Sequence, residues 1–220
     1  MNKINLIAGL LLAVTAAGAN AAGTINSLAD VPASSVVLNF ENEDGHVFAS
    51  GASYSFGGAS FVADQQITVG QSVFDLGENG LWGGNGNHFL SFDNVGAMTL
   101  DVSFNGLKTK GFAFDFSAWQ ELGSTTPATI SVSYFDAANS LIGTHSETIS
   151  PSLGWENYNL SLSTGYVSDS ANIARVSITG DGVVLDNLTF TQAVPEPESY
   201  AMLLAGLGLM GVVARRRQRR

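Results

Sequence analysis

There is no cysteine in the 220 residues, which excludes disulfides and thiol catalysis and leaves any exported domain to be held by its core or by a bound metal. Charge is scarce as well, at 13% of residues, and it is mostly of one sign, with a net charge of -10. Between residues 22 and 193 the only cations are Lys108, Lys110 and Arg175, against nearly all of the acids. Such a field repels nucleic acid and anionic lipid headgroups and favours cations and neutral ligands, so nucleic-acid binding is excluded. No window before Tyr200 sustains a helical period. The sequence contains no Gly-x-Ser-x-Gly elbow, no phosphate-cradling Gly-rich loop with a Lys-Ser/Thr, and no Asp-x-Asp-x-Asp-Gly calcium loop. A repeat of blade length is also missing, which argues against a propeller.

What is present is clearest at the two ends. Lys3, the apolar residues 4–14 and the small-x-small site Ala19-Asn20-Ala21 read as a secretory signal peptide over residues 1–21, with Ala22 first after cleavage. Near the other end Pro195-Glu196-Pro197 precede an uncharged apolar run over residues 200–214, and Arg215, Arg216, Arg217, Arg219 and Arg220 close the chain. The prolines remove backbone donors and hold the chain extended, so a helix begins only after them. A helix over that run reaches about 22 Å, short for a hydrocarbon core of roughly 30 Å, and predicts a single marginal transmembrane helix. The arginines cannot cross readily and fix this end in the cytoplasm.

Taken together, Pro195-Glu196-Pro197, the short Gly- and Leu-rich span and the terminal arginines resemble the PEP-CTERM sorting signal of exported bacterial proteins. The resemblance covers residues 194–220 only. It implies a partner, the membrane-embedded cysteine transpeptidase exosortase, which processes the chain near the Pro-Glu-Pro segment and releases the domain or transfers it to the cell surface. It also implies a transient stay in the inner membrane, and a source among Gram-negative, polysaccharide-secreting bacteria.

Residues 22–193 read as one all-β domain. Short alternating runs occur at residues 36–40, 53–56, 60–62, 67–69, 88–92, 98–104, 111–116, 130–134, 155–162, 176–179 and 183–190, with Glu156, Tyr158, Leu160 and Leu162 assigned to one face. Residues 136–140 make a turn to a return strand from Leu141, and residues 75–87 form a long Gly- and Asn-rich loop around Trp82. Roughly ten short strands at this spacing predict a two-sheet β-sandwich, jelly-roll-like, with its last strand ending close to Pro195.

Within it, Leu38-Asn39-Phe40-Glu41 and residues 184–190 are similar to the first and last strands of jelly-roll carbohydrate-binding modules, in which such acids often bind a structural calcium. Carboxylates from two chain ends suit a hard cation, and the candidate ligands are Glu41, Glu43 and Asp186. Trp82, Trp119 and Trp155 lie in or beside polar loops, where an indole face stacks on a pyranose ring. Asp115 and Glu121 flank Trp119 as a carboxylate pair, and His46, His88 and His145 are far apart and read as surface residues. No catalytic set is assigned. The expectation is a non-enzymatic surface or secreted protein associated with extracellular polysaccharide. The alternatives are a calcium-dependent carbohydrate-binding module and a secreted hydrolase.

Overall fold

The computed structural model of the chain describes residues 22–32, 35–72, 88–93, 96–121, 123–150, 158, 161–191, 207 and 210. Its strands, in chain order, are β1 (Gly23–Ile25), β2 (Ser35–Leu38), β3 (His46–Phe48), β4 (Ser53–Phe56), β5 (Ala59–Ala63), β6 (Ile67–Ser72) and β7 (His88–Phe92). They continue with β8 (Ala97–Ser103), β9 (Gly111–Ala118), β10 (Ala128–Phe135), β11 (Leu141–Ile149), β12 (Leu162–Val167), β13 (Arg175–Asp181) and β14 (Val183–Thr191). A short 3-10 turn, Leu28–Asp30, is capped by Ser27, whose hydroxyl accepts from the Ala29 N–H. β1 and β3 lie outside the runs expected from sequence. They are too short, at three residues each, to show an alternation.

Two antiparallel sheets result. One has the order β1-β12-β9-β14-β7-β6-β3, with β2 also paired to β14, and the other β11-β10-β13-β8-β5-β4. The period of two decides which side chains meet between them. Ile130, Val132 and Tyr134 of β10 and Met98, Leu100 and Val102 of β8 point inward and are fully buried. Thr129, Ser131 and Ser133 alternate with them on the outer face. From the larger sheet, Phe112, Phe114 and Phe116 of β9 and Leu185, Leu188 and Phe190 of β14 fill the other half of the same core. Phe114 sits within 6 Å, centroid to centroid, of both Phe112 and Phe116. Each such side chain contributes roughly 1.5–3 kcal/mol on burial.

The last strand is central. β9 runs along one side of β14, while the other side is shared end to end by β7, at Val184 and Leu185, and β2, from Leu188 to Thr191. The change of partner coincides with a bulge between Asp186 and Thr189. Asn187 sits there at φ 50°, a left-handed conformation that Asn tolerates better than other side chains. The extra residue shifts the parity of the strand, so Val183 and Leu185 before it and Leu188 and Phe190 after it all face the core.

The registers also define two ends. Gly23, Val167 and Gly111 are neighbours across β1, β12 and β9, and Thr191 pairs with Ser35. Both termini of the sandwich therefore lie at one end, the exit end, from which the chain continues toward residue 195. Ala118, Val183, Asp181 and Ala97 lie at the opposite, far end.

Replacing Asn187 separates backbone strain from side-chain bonding. Asn187→Val puts a β-branched residue at positive φ and loses an amide bond to Asp115, and is expected to cost about 2–3 kcal/mol. Asn187→Gly keeps the conformation and costs about 1 kcal/mol or less. Urea midpoints at unchanged slope are the measurement, and equal losses for the two variants would remove the strained bulge as the cause.

Candidate functional site

Two regions gather the polar groups. The first is the junction where β2, β7 and β14 meet on the outer face of the larger sheet. Asp115 and Asp186 are direct cross-strand partners in β9 and β14, and both are buried, at 6% and 2% exposure. Asp115 accepts from the Ser163 hydroxyl at 2.5 Å and from the Asn187 side-chain amide at 3.0 Å. Asp186 accepts from the Asn187 N–H at 2.6 Å. Glu41, just past β2, accepts from the His88 N–H at 3.2 Å, and the His88 ring Nδ1 lies 3.1 Å from the Glu41 carbonyl. Burial above all, then the charges of Glu41 and Asp115, push the Asp186 carboxyl up to about 8, although the Asn187 N–H opposes them.

Of the three expected calcium ligands, the fold brings Glu41 and Asp186 into mutual range and adds Asp115. Glu43 goes elsewhere. It bonds the Tyr54 hydroxyl, whose pKa is raised by burial above all and then by Glu43, and it stands 3.9 Å from the exposed His46. The reason is local: Glu43 follows a turn closed by its own N–H to the Phe40 carbonyl at 2.9 Å, with Phe40 at φ 53°. Among the described residues no three acidic or histidine side chains stand close enough to hold a metal ion. With the described residues alone, the junction does not fit calcium. Burial and the neighbouring carboxylates favour a proton on Asp186.

The second region is a cleft of about 280 Å³ at the far end, lined by Trp119, Gln120, Glu121, Thr126, Thr129 and Asp181 among others. Trp119 follows the last residue of β9, and its N–H donates to the Gly182 carbonyl at 3.0 Å. Gly182 is required here: its φ is +52°, and a Cβ would fall 2.5 Å from that of Trp119. The indole packs on Phe89, Tyr158 and Val184, a small cluster apart from the main core. Tyr158 therefore does not share the core face with Leu162 as the alternation suggested. Burial, Asp181 and Asp93 raise its hydroxyl pKa. Gln120 is buried and ties the cleft wall down, donating to the Ile149 and Ser150 carbonyls at 3.1 and 2.9 Å.

Glu121 lines this cleft, but Asp115 does not; it belongs to the junction, so the two do not form the carboxylate pair a hydrolase needs. Thr126, Thr129 and Asp181 were not singled out from sequence, because the cleft joins the β9–β10 connection to the β13–β14 turn and only pairing reveals that contact. His145 is also not a surface residue. It stacks on Tyr134 with 5.7 Å between centroids, and its Nε2 lies 2.8 Å from the Thr164 hydroxyl, which donates to Glu147 at 2.9 Å. Burial lowers the His145 pKa against the pull of Glu147. Trp82, Trp155, Pro195, Glu196, Pro197 and the terminal arginines lie outside the described residues. Leu207 and Met210 are helical, and among the described residues no helix is long and apolar enough to cross a membrane.

Comparison with known structures finds distant likeness. A DUF4465 family protein from Bacteroides caccae is 12% identical, with 71% of this chain and 98% of that one covered and a TM-score of 0.44. A family 11 carbohydrate-binding module from Clostridium thermocellum, in complex with a beta-1,3-1,4-mixed-linked tetrasaccharide, is 14% identical over 74% of this chain and 98% of its own, with a TM-score of 0.35. A family 35 carbohydrate-binding module from the same organism is 12% identical over 74% and 100%, with a TM-score of 0.34. No curated protein matches the chain. Residues 193–219 match the PEP-CTERM protein-sorting motif, so this is an exported protein that is anchored transiently in the membrane and processed by exosortase.

Proposed function

We propose that residues 1–21 are a cleaved signal peptide, that residues 194–220 hold the chain in the inner membrane until exosortase acts, and that the sandwich of residues 22–193 is a non-enzymatic surface or secreted protein binding neutral polysaccharide of the extracellular matrix in its far-end cleft. The Trp119 cleft carries this reading. A half-buried indole seated on Phe89, Tyr158 and Val184 offers a rigid apolar platform. Around it stand the hydroxyls of Ser124, Thr126 and Thr129 and the carboxylates of Glu121 and Asp181. An aromatic face beside hydroxyl and carboxylate partners is the combination that holds a pyranose ring, and the acidic walls disfavour anionic sugars. Its place opposite Thr191 leaves the cleft open whether or not the chain is still anchored.

Among the described residues the core lies between Val31 and Phe190, so residues 22–191 are expected to fold without the sorting segment. Calorimetric titration of that domain with neutral polysaccharides is expected to show binding at millimolar ligand or below. Trp119→Ala should weaken it roughly tenfold, equivalent to about 1.4 kcal/mol. Glu121→Gln, which leaves the small apolar cluster intact, should weaken it less with no change in melting. No binding at millimolar ligand removes the reading, while reducing sugar released by the wild type and lost in Glu121→Gln would favour a secreted hydrolase instead.

The buried junction can be read in two ways, as a proton held on Asp186 or as the calcium site expected from sequence. The two differ in their dependence on pH. The Asp186 pKa rises from 3.8 to about 8 on folding, so the folded state prefers the protonated acid. Stability is then full below about pH 4 and falls as pH rises from there to about 8, with an upper bound of roughly 6 kcal/mol. Without metal, Asp186→Asn should flatten this decline and raise the melting temperature at pH 8. If calcium binds, millimolar calcium should raise the wild-type melt at pH 8 and leave Asp186→Asn unmoved. A melt unaffected by EDTA would exclude the ion.

A further inference from the structure

The overall negative charge argues against contact with anionic lipid, yet the few cations are not scattered. Lys108 and Lys110 are the only lysines after residue 3, and both lie in the connection between β8 and β9 at the exit end. Leu107, beside them, is 55% exposed. Its position is built: Asn105 and Gly106 take successive positive φ values of 52° and 79°, and the Leu107 N–H donates to the Phe104 carbonyl at 2.9 Å. The turn is pinned on both flanks. The Asn105 side chain accepts from the Ser60 hydroxyl at 2.9 Å, and Thr109 exchanges both backbone bonds with Ile173 at 2.8 and 3.0 Å. Neither lysine makes an ion pair with a described residue. Arg175, by contrast, is held by Asp101 at 2.7 Å and lies 3.9 Å over the Phe135 ring.

Leu107 and Lys108 also line a small apolar hollow of about 70 Å³ together with Phe190 and Thr191, so this loop adjoins the point where the chain leaves the sandwich. We propose that the loop is a membrane-docking tip: Lys108 and Lys110 contact anionic lipid headgroups and Leu107 enters the interface while the chain is anchored by its sorting segment. From Thr191 to the start of the apolar run at Tyr200 is nine residues, at most about 30 Å of extended chain, so the anchor holds this end near the bilayer. Two lysines are weak alone, at roughly fivefold in affinity each on an anionic surface, but a tethered contact needs no more than that. Asp30, Asp136 and Asp169 share the exit end. Asp136 accepts from the N–H groups of Ala138 and Ser140 at 2.9 and 2.8 Å, and Asp169 from that of Ala22 at 2.8 Å. Among the described residues the charged groups of the far end are all acids, Asp64, Asp93, Glu121 and Asp181, and are repelled by the same lipid.

Absence of cysteine makes the test direct. The full chain, carrying Leu107→Cys or Val47→Cys with an environment-sensitive dye, is inserted into vesicles of phosphatidylcholine alone or mixed equally with phosphatidylglycerol. Val47 is 60% exposed and lies in β3, toward the far end. The dye at position 107 should shift to shorter wavelength only in the mixed vesicles. High salt or Lys108→Glu with Lys110→Glu should abolish that shift, with melting unchanged. An equal shift at position 47, no difference between the two lipids, or a shift that survives the double substitution overturns the proposal.

Discussion

Everything in the larger sheet depends on β14 holding three neighbours at once. A strand that pairs with β9 on one side and with β7 and then β2 on the other joins the first long strand of the domain to its last. It can do so only if its side chains keep facing the core across the change of partner. The Asn187 bulge meets that condition by a one-residue parity shift. It also fixes what lies on the outer face, because the residue before it, Asp186, is turned away from the core yet remains buried beside Asp115. The carboxylate pair is thus a consequence of the strand topology, and the raised pKa of Asp186 follows from the burial that the topology imposes.

Much of this was legible in the residues. The runs at 98–104, 111–116, 130–134 and 183–190 alternate cleanly, because one face of each packs on the core and the other meets solvent or a polar outer layer. β11 was recognised only at its start, since along its length inward His145 and Glu147 replace apolar residues and disguise the period. Glu41 and Asp186 could be joined from sequence because first and last strands of a sandwich tend to be neighbours. Asp115 could not be added to them, because its partner is 71 residues away and known only from register. Glu43 was misplaced for a different reason. In a tight turn, residues two apart no longer share a face, and Tyr54 supplied a hydroxyl partner on the other side. The cleft was visible only as Trp119 and Glu121; the rest of its wall comes from the β9–β10 connection, the start of β10 and, 60 residues beyond Glu121, Asp181.

Position along the long axis links these parts to sorting. The first strand and the last end at the same pole, so a chain anchored through its sorting segment can keep both ends of the sandwich toward the membrane and its opposite pole free. Charge follows the same axis. Every lysine and arginine between residues 22 and 193 lies at or near the exit end, whereas Glu121 and Asp181 border the cleft at the other. A uniform acidic surface would leave a tethered domain free to tumble through all orientations above an anionic bilayer. A polarised one favours a single orientation, in which the exit loop is down and the cleft points outward.

That polarity accounts for the difference between the two polar regions. The junction of Asp115 and Asp186 is buried by the fold and answers to protons or cations, so its chemistry acts on stability. The cleft is open and is tied down at its base by Gln120 and the small cluster under Trp119. Cleavage near residue 195 would remove the tether without touching either region, since the nearest described residue to it, Thr191, belongs to the exit end. The released domain would then keep the same open face that it presented while anchored.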